Sequence, residues 1–364
     1  MKKNVLIIGN CNIYGGVGHM IKEYCERLYS DKIHFDILYY GDCERETEKY
    51  LRKINATYFH VPKYTKHPLQ FLKYIKKLCK SKKYDLIHCH ASTAMLLVYA
   101  LPIKIINNTP IIYQSHDSGA DKSAILHCFF RPFIKVFCTK YISVSWEAGI
   151  WMFNKSGINS EKHILLQNGI DSSAYLFNPK TRNNIRIQLN IGDKFIIGNV
   201  GRFEKQKNHK LIIDIFEKIH RLESQAVLLL IGQGSLKKKV QTLVKEKNLE
   251  DVVIFCDYKK NISDYYSAMD LFLFPSIHEG MGLVVVEAQL SGLPVVASYS
   301  VPKEAKVSES FYQFNLSDSL DLWVDKIMEL KQIGRYTYSK ELFEKSGYEI
   351  NQSAEKLRKI YESI

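Results

Sequence analysis

Short apolar runs alternate along the chain with longer stretches whose apolar residues recur every three to four positions. The short runs are rich in Val, Ile and Leu, which is typical of strands buried on both faces of a parallel sheet. The longer stretches have the period of amphipathic helices. The alternation predicts an α/β protein. Its predicted strands are 4–9, 34–39, 56–60, 85–89, 110–114, 141–144, 163–166, 195–200, 226–231, 252–255, 271–274 and 294–297.

The length and a polar break predict two Rossmann-like domains. A chain of 364 residues is more than twice the usual domain size of ~150 residues. The polar stretch 178–184 separates the seventh predicted strand from the eighth. Helical patterns at 318–332, 337–345 and 350–364 close the chain. We therefore predict domains at 1–170 and 194–345, a linker at 171–193 and a closing helical segment at 346–364.

The positive charge is concentrated in the first half of the chain. The net charge is +13, and residues 1–168 hold 24 Lys and Arg against 13 Asp and Glu. The window 49–83 holds eleven Lys and Arg and no acidic residue. A basic half of this kind suggests an anionic partner. The candidates are a nucleic acid, a phosphate group and an anionic membrane face.

The segment 68–82 within this window predicts an amphipathic basic helix. The pattern assigns an apolar face to Leu69, Leu72, Ile75 and Leu78, with Phe71 and Tyr74 at a headgroup boundary. The lysines on its other positions are Lys73, Lys76, Lys77 and Lys80. Two interpretations stay open, which are an ordinary helix with a solvated basic face and a helix that docks on anionic lipid.

The eight cysteines and the N-terminus indicate a cytoplasmic protein. The cysteines form no C-x-x-C pair and no zinc spacing, so we expect free thiols in a reducing compartment. In a strand, His88 and His90 would share a face without Cys89, so no metal site is expected there. A strand follows Met1 almost at once, no signal peptide is recognised, and no apolar run approaches ~20 residues.

The segment 274–288 carries the sharpest chemical pattern. A strand ends, Glu279 lies in a turn, and a helix begins near Gly282. Small residues and free amides at a helix start suit a diphosphate, and the candidate residues here are Gly280, Met281, Gly282 and Leu283. Glu287 lies about one turn into the helix, where a carboxylate can accept hydrogen bonds from a sugar diol. The alternative is a structural turn.

A second segment, 200–209, follows the first strand of the second domain. Arg202 and Lys207 flank a short loop there, and two cations can neutralise a departing diphosphate. The alternative is a solvated basic loop. No D-x-D motif occurs in the chain, so a metal bridge to a diphosphate is not expected.

Weaker signals come from glycines and a strand-end histidine. Gly15 and Gly16 follow the first strand like a phosphate-binding loop, without dinucleotide spacing. His116 ends the fifth strand, where a histidine can be either structural or functional. The candidates for a nucleotide-base pocket are Gly232, Gly234, Tyr258 and Lys259.

Taken together, these residues resemble the family-four retaining glycosyltransferases of the GT-B fold. The likeness covers nearly the whole chain and is most specific from 196 to 301. The family's Glu-x7-Glu motif matches Glu279 and Glu287, and its Gly-Arg-x4-Lys motif matches Gly201, Arg202 and Lys207. The glycine loop matches Gly15 and Gly16, and the strand-end histidine matches His116. The nearest patterns are those of bacterial exopolysaccharide, capsule and O-antigen transferases.

The resemblance implies two domains that face each other across a cleft, with the closing helix crossing back to the first. It implies that Arg202 and Lys207 stabilise the leaving diphosphate, Glu279 and the amides of 280–283 hold the donor, and Glu287 binds ribose. His116 would contact the donor sugar from the opposite domain. The family often has Glu two residues after the second glycine of its loop, where this chain has Gly18.

The implied function is transfer of a sugar from a nucleotide sugar, UDP favoured over GDP, to a saccharide acceptor that is lipid-linked. The expected enzyme needs no metal or other cofactor, lies in the cytoplasm and docks peripherally on the membrane face. Two alternatives stay open, a sugar-nucleotide epimerase of the same fold and a non-catalytic nucleotide-sugar-binding protein. A nucleic-acid partner is not expected, because no nucleic-acid motif accompanies the basic half.

Overall fold

A computed structural model describes residues 3–9, 16–30, 32–40, 54–119, 124–257 and 261–364. The chain divides into two compact units. The first unit comprises Met1–Gly169 and Ile350–Ile364, and the second comprises Ile170–Glu349. The segment 171–193, which the sequence predicts as a linker, therefore belongs to the second unit, while most of the closing segment 346–364 belongs to the first.

The first unit is built on a parallel sheet whose described strands number seven. The strands are β1 (Lys3–Gly9), β2 (Ile33–Tyr39), β3 (Thr57–His60), β4 (Leu86–Ala91), β5 (Ile111–Ser115), β6 (Lys140–Ser143) and β7 (His163–Leu165). Their order in the sheet is β3-β2-β1-β4-β5-β6-β7. The central strands are buried on both faces, which explains their nearly continuous apolar runs.

Helices cover both faces of this sheet. They are α1 (Gly16–Leu28), α2 (Pro68–Ser81), α3 (Leu97–Asn107), α4 (Ala124–Phe137) and α5 (Trp146–Ile158). Residues of α2, α3, α4 and α5 share one hydrophobic core with one face of the sheet. The side chains of α1 belong to the core on the other face.

The second unit repeats the arrangement with six described strands, all parallel where they pair. The strands are β8 (Phe195–Val200), β9 (Ala226–Ile231), β10 (Val253–Cys256), β11 (Leu271–Phe274), β12 (Val295–Ser298) and β13 (Phe311–Phe314). Their order is β10-β9-β8-β11-β12-β13.

The helices of the second unit are α6 (Pro179–Gln188), α7 (His209–Leu222), α8 (Lys237–Glu246), α9 (Ile262–Ala268), α10 (Leu283–Leu290), α11 (Leu320–Ile333) and α12 (Lys340–Ser346). The last helix of the chain, α13 (Ile350–Glu362), packs against α1 in the first unit. The prediction that the closing helix returns to the first domain is thereby confirmed.

All twelve predicted strands are present, and β13 was missed. Its sequence, Phe-Tyr-Gln-Phe, is short, lies at the sheet edge and is only partly buried, so it lacks the long aliphatic run that marks the other strands. The α/β prediction of two Rossmann-like parallel-sheet domains is confirmed.

The apolar face predicted for 68–82 was wrong in part. Helix α2 buries Phe71, Ile75, Leu78 and Cys79, while Leu69 is 74% exposed and Leu72 is also exposed. Phe71 therefore packs in the core and does not reach the surface. The cause is that a regular helix places positions 71, 75 and 78 on one side and turns 69 and 72 outward. The four lysines are exposed, as predicted.

The structure also describes most of the cysteines and the length of the helices. The six cysteines that lie in the described ranges are all free thiols. No helix in those same ranges is long and apolar enough to cross a bilayer.

Each sheet has one point where the chain reverses its direction of winding. In the first sheet this point lies between β1 and β4, and in the second between β8 and β11. The loops that leave the carboxyl ends of two such strands diverge and leave a crevice, which is where open α/β sheets bind ligands. In the second sheet, a ligand is therefore expected at the loops after β8 and β11.

Candidate active site

The loops that follow β8 and β11 carry the cationic and acidic residues that the sequence singles out. Gln206 ties the two loops together. Its backbone oxygen accepts a hydrogen bond of 2.8 Å from the Ile277 amide, and its side-chain amide donates to the His278 carbonyl at 2.8 Å. The switch point of the second sheet thus brings the Gly-Arg-x4-Lys and Glu-x7-Glu segments together.

Lys207 and Glu279 form an ion pair at this point. The Lys207 ammonium lies 2.5 Å from Glu279 Oε1, and both side chains are largely buried. The Ser276 hydroxyl donates to the same carboxylate oxygen at 2.5 Å. The ammonium also lies 4.7 Å from the centre of the Phe274 ring, a favourable cation–π position. A cation held this firmly is preorganised for an anionic ligand.

Arg202 contrasts with Lys207. It is exposed, and its guanidinium makes no hydrogen bond or ion pair within the residues that the structure describes. Lys207 is therefore a largely buried, paired cation, whereas Arg202 is available to a ligand. A guanidinium suits a diphosphate because its planar fork can bind two oxygens at once.

The turn at the start of α10 holds the candidate residues 280–283, at the end of the loop that leaves β11. Gly282 caps the helix with φ of +70°, a left-handed conformation that favours glycine. Met281 is buried and its sulfur accepts a hydrogen bond from the Tyr348 hydroxyl. Gly280 is buried and Leu283 is partly exposed. Helix α10 thus begins in the loop that leaves the carboxyl end of β11, a place where a helix N-terminus can bind an anion.

Glu287 lies on α10 without a cationic partner in the described part of the chain. Its Oε2 accepts a hydrogen bond of 2.8 Å from the buried Tyr266 hydroxyl. Burial raises the pKa of Glu287 from 4.5 to about 7, and hydrogen bonds from Tyr266 and Tyr175 partly oppose the rise. A carboxylate in this state retains acceptor capacity for hydroxyl groups of a ligand.

The raised pKa of Glu287 makes a prediction about stability. The folded protein holds this proton more tightly than the unfolded chain, so the contribution to stability is greatest below pH 4.5 and declines as pH rises to about 7. We expect Glu287→Gln to raise Tm by about 2–4 °C at alkaline pH and to change it little at acidic pH. Thermal unfolding of both proteins across this range checks it, and an equal shift at every pH would contradict it.

The two glycines proposed for a base pocket have a clear backbone role. At Gly232, with φ of +152°, an added Cβ would lie 2.0 Å from the Gly201 carbonyl oxygen. At Gly234, with φ of +158°, it would lie 2.6 Å from the Phe203 amide nitrogen. These glycines let the loop after β9 press against the loop that carries Arg202. The other two candidates, Tyr258 and Lys259, lie outside the described residues.

The remaining predicted site residues belong to the first unit. His116 directly follows β5, and its Nε2 lies 3.0 Å from His90 Nδ1. Its Nδ1 is buried and has no hydrogen-bond partner among the described residues. Gly16 is the exposed first residue of α1, whereas Gly15 lies outside the described residues. A buried, unpartnered ring nitrogen is a candidate ligand contact.

Three buried histidines lie on β4 and directly after β5. His88 and His90 share one face of β4, as expected, and His88 Nδ1 lies 2.7 Å from the Tyr361 hydroxyl. Burial lowers the pKa of His88 and of His116 to about 3, and that of His90 well below its ordinary value. All three rings are therefore neutral at neutral pH. In the described ranges no group of three or more His, Cys, Asp or Glu is placed to hold a metal ion.

Three residues that support the site were missed from the sequence. They are Gln206, which joins the loops, Ser276, which holds Glu279, and Tyr266, which holds Glu287. Gln206 and Ser276 lie inside the recognised motif segments, so their position in the sequence could have identified them as neighbours of the site. Tyr266 gave none, because it reaches Glu287 from another helix, α9.

Comparison with known proteins agrees with this architecture. Residues 14–174 match the family model described as Glycosyltransferase Family 4, and residues 181–332 match the model described as Glycosyl transferases group 1. The two matches together take in most of the chain. The protein therefore belongs to the glycosyltransferases that these two models describe, with the GT-B fold.

Individual relatives extend the match over the full length. The glycosyltransferase EpsF of Bacillus subtilis is 25% identical over 99% of this chain and 96% of its own length. The N-acetylgalactosamine-N,N'-diacetylbacillosaminyl-diphospho-undecaprenol 4-alpha-N-acetylgalactosaminyltransferase of Campylobacter jejuni is 26% identical over 74% of this chain and 71% of its own. The crystal structure of Anabaena HepE in complex with UDP and glucose superposes with a TM-score of 0.81, at 18% identity and complete coverage of both chains.

Proposed function

We propose that this glycosyltransferase moves a sugar from a UDP-sugar to a lipid-linked saccharide, with retention of anomeric configuration, in the synthesis of a cell-surface polysaccharide. The observation that carries the proposal is the ion pair of Lys207 and Glu279 at the switch point of the second sheet, where Lys207 lies on the loop that also carries Arg202. Cations at this place are suited to a nucleotide diphosphate leaving group.

The two cations have different parts in the proposed reaction. As the bond from the sugar to the β-phosphate breaks, negative charge grows on the phosphate oxygens. Lys207 is already fixed by Glu279 and the Phe274 ring, so it needs little reorganisation to stabilise that charge. Arg202, which has no partner in the described residues, closes onto the diphosphate when the donor binds.

Glu279 is proposed to hold the donor and to position Lys207. Its carboxylate already receives the Lys207 ammonium and the Ser276 hydroxyl on one oxygen. Both contacts fall on Oε1, which makes that oxygen a poor covalent nucleophile. This supports a retaining path in which the departing phosphate accepts the proton of the acceptor hydroxyl on the same face of the sugar, without the enzymic nucleophile of retaining hydrolases.

Glu287 is proposed to bind the ribose diol, and the amides before α10 to bind the diphosphate. Tyr266 and Tyr175 occupy two positions around the Glu287 carboxylate, which leaves further lone pairs for two hydroxyl groups. Replacing Glu287 with Ala is expected to raise KM for the donor more than it lowers kcat, because a ribose contact is similar in the ground and transition states.

The choice of donor and acceptor is supported by relatives. HepE was crystallised with UDP and glucose, and the Campylobacter transferase is named for an undecaprenol-linked diphosphate acceptor. A lipid-linked acceptor would hold the enzyme at the cytoplasmic membrane face, in keeping with the basic first half of the chain. A panel of UDP- and GDP-sugars, scored for nucleotide release, tests the donor class. Release from GDP-sugars alone would overturn the choice of uracil.

Metal independence is a further part of the proposal. The chain has no D-x-D motif, and Arg202 and Lys207 supply the positive charge that a divalent cation otherwise supplies. We expect turnover to survive excess chelator with less than about a twofold change. Loss of activity with chelator and its return with Mg²⁺ or Mn²⁺ would contradict this.

A further inference from the structure

Helix α4 exposes an apolar face that the sequence pattern did not predict. Ile125 is 86% exposed, Phe129 64% and Val136 72%, and Leu126 and Phe133 are exposed as well. We call these five residues the α4 face. Their spacing places them on one side of the helix, and only His127 and Ile134 of α4 are buried. Single exposed apolar residues are ordinary, but five on one helix are not.

Aromatic rings make the α4 face continuous with its surroundings. Phe129 contacts Phe130 and Phe133 at ring-centre distances of 5.3 and 5.9 Å, and Phe133 lies 6.5 Å from Phe137. The rings pack on each other at the surface and not into the domain core, apart from Phe130, which partly contacts that core. Large rigid side chains at the surface are characteristic of contacts with a partner or a membrane interface.

Every charged residue of α2, α3 and α4 is basic, whereas α5, which also packs against α4, carries the exposed Glu147. Helices α2, α3 and α4 pack on one core and form adjacent parts of one side of the sheet. They carry seven basic residues and no acidic one. The basic residues are Lys73, Lys76, Lys77, Lys80, Lys104, Arg131 and Lys135. Exposed apolar residues continue along this side at Leu69, Leu72, Ile105 and Ile106.

We propose that the α4 face inserts into the interfacial layer of an anionic lipid bilayer, with the cations of α2 and α3 on the headgroups beside it. This deepens the proposed function, since a lipid-linked acceptor places the reaction at a membrane. The basic helix α2 alone would give reversible, salt-sensitive adsorption. The apolar α4 face adds burial of hydrocarbon and aromatic surface, which salt does not screen.

A bilayer fits this side of the unit better than a second copy of the chain. Two copies that meet through α4 would bring two sets of like charges together, and α2, α3 and α4 offer no carboxylates to offset them. Anionic lipid supplies the missing negative charge and an apolar layer at once.

Vesicle flotation with the full-length protein tests the proposal. We compare vesicles of phosphatidylglycerol and phosphatidylcholine with vesicles of phosphatidylcholine alone, at low and high salt. The wild type is expected to float with anionic vesicles, and part of it to stay bound in high salt. Phe129→Ser/Phe133→Ser is expected to lower partitioning at least about tenfold and to lose the salt-resistant fraction. Replacing Lys73, Lys76, Lys77 and Lys80 with Ser is expected to reduce recruitment mainly at low salt.

A matched control uses Leu222→Ser, which removes a side chain 67% exposed on α7 in the second unit and should leave flotation unchanged.

Cys128 gives a second readout, because it is exposed on α4 while the other described cysteines are buried. In a Cys11→Ser/Cys43→Ser background, a polarity-sensitive dye on Cys128 should shift to the blue with anionic vesicles and be quenched by lipid-borne quenchers.

Two results would overturn the proposal. One is flotation of the Phe129→Ser/Phe133→Ser variant equal to wild type, with no response of the Cys128 dye. The other is a lipid-free dimer in the wild type that becomes a monomer in this variant, which would mean that a second copy covers the α4 face. Vesicle binding does not depend on sugar transfer, so its failure is distinct from failure of the proposed function. Transfer to a water-soluble acceptor should be unaffected by the α4 substitutions.

Discussion

Replacing Lys207 with Ala is expected to slow sugar transfer by about 10²–10³, the usual cost of losing one preorganised electrostatic group. Arg202→Ala is expected to slow it on the same scale. The two variants should differ in stability. Arg202 is exposed and unpaired in the described structure, whereas loss of Lys207 leaves the largely buried Glu279 carboxylate without its cation. Breaking such a pair costs roughly 3–5 kcal/mol when it is fully buried, and less here.

Single-turnover rates and thermal unfolding of the same proteins separate the two effects. The double variant Lys207→Met/Glu279→Gln is the control, because it removes both charges at once. It should recover much of the stability that Lys207→Ala loses, while transfer stays slow. Glu279→Ala should lower kcat more than Glu287→Ala does. Near-normal transfer by both Arg202→Ala and Lys207→Ala would refute the leaving-group assignment.

Replacing Asp270 with Asn is expected to lower the stability of the second unit by about 3 kcal/mol, the low end of the cost of leaving a buried charge uncompensated, because the Asp270 side chain is itself 21% exposed. Its Oδ1 lies 2.6 Å from Arg182 Nη2, and its Oδ2 lies 2.6 Å from Arg186 Nη2. The second oxygen also accepts the Ile196 amide at 2.7 Å. Arg186 is buried, so its charge depends on this partner.

Thermal unfolding measures this loss as a fall in Tm of about 10 °C. Asp321→Asn is the matched control, because Asp321 pairs with Lys218 at an exposed position and such pairs contribute about 0–1 kcal/mol. Equal effects of the two substitutions would mean that the Asp270 cluster is an ordinary surface pair.

The sequence was a good guide to the strands and a poorer guide to what the polar segments do. Strand runs were legible because both faces of each central strand are buried. The stretch 178–184 was predicted as linker because its residues are polar. In the structure it forms part of α6, and the Arg182 of that stretch and Arg186 beyond it bind Asp270. Polarity along a sequence does not distinguish solvation from a distant ionic partner.

The motif residues of the site could be predicted from the sequence, but their contacts could not. The carboxyl ends of β8 and β11 become neighbours only through the order of strands in the sheet, so the contact of Lys207 with Glu279 needed the fold. The motifs nevertheless named both residues. The α4 face was not found because its apolar residues have the same helical spacing as a buried helix, and only packing reveals which side of a helix is covered.

The most direct test of the central claim is the product formed from a UDP-sugar and an undecaprenyl-diphosphate-linked saccharide, with UDP release measured alongside. We expect UDP release that depends on the acceptor, a product whose new linkage keeps the α configuration of the donor, and loss of both in Arg202→Ala. A β linkage would contradict retention. Conversion of the donor to its epimer with no transfer to acceptor would contradict the assignment as a glycosyltransferase.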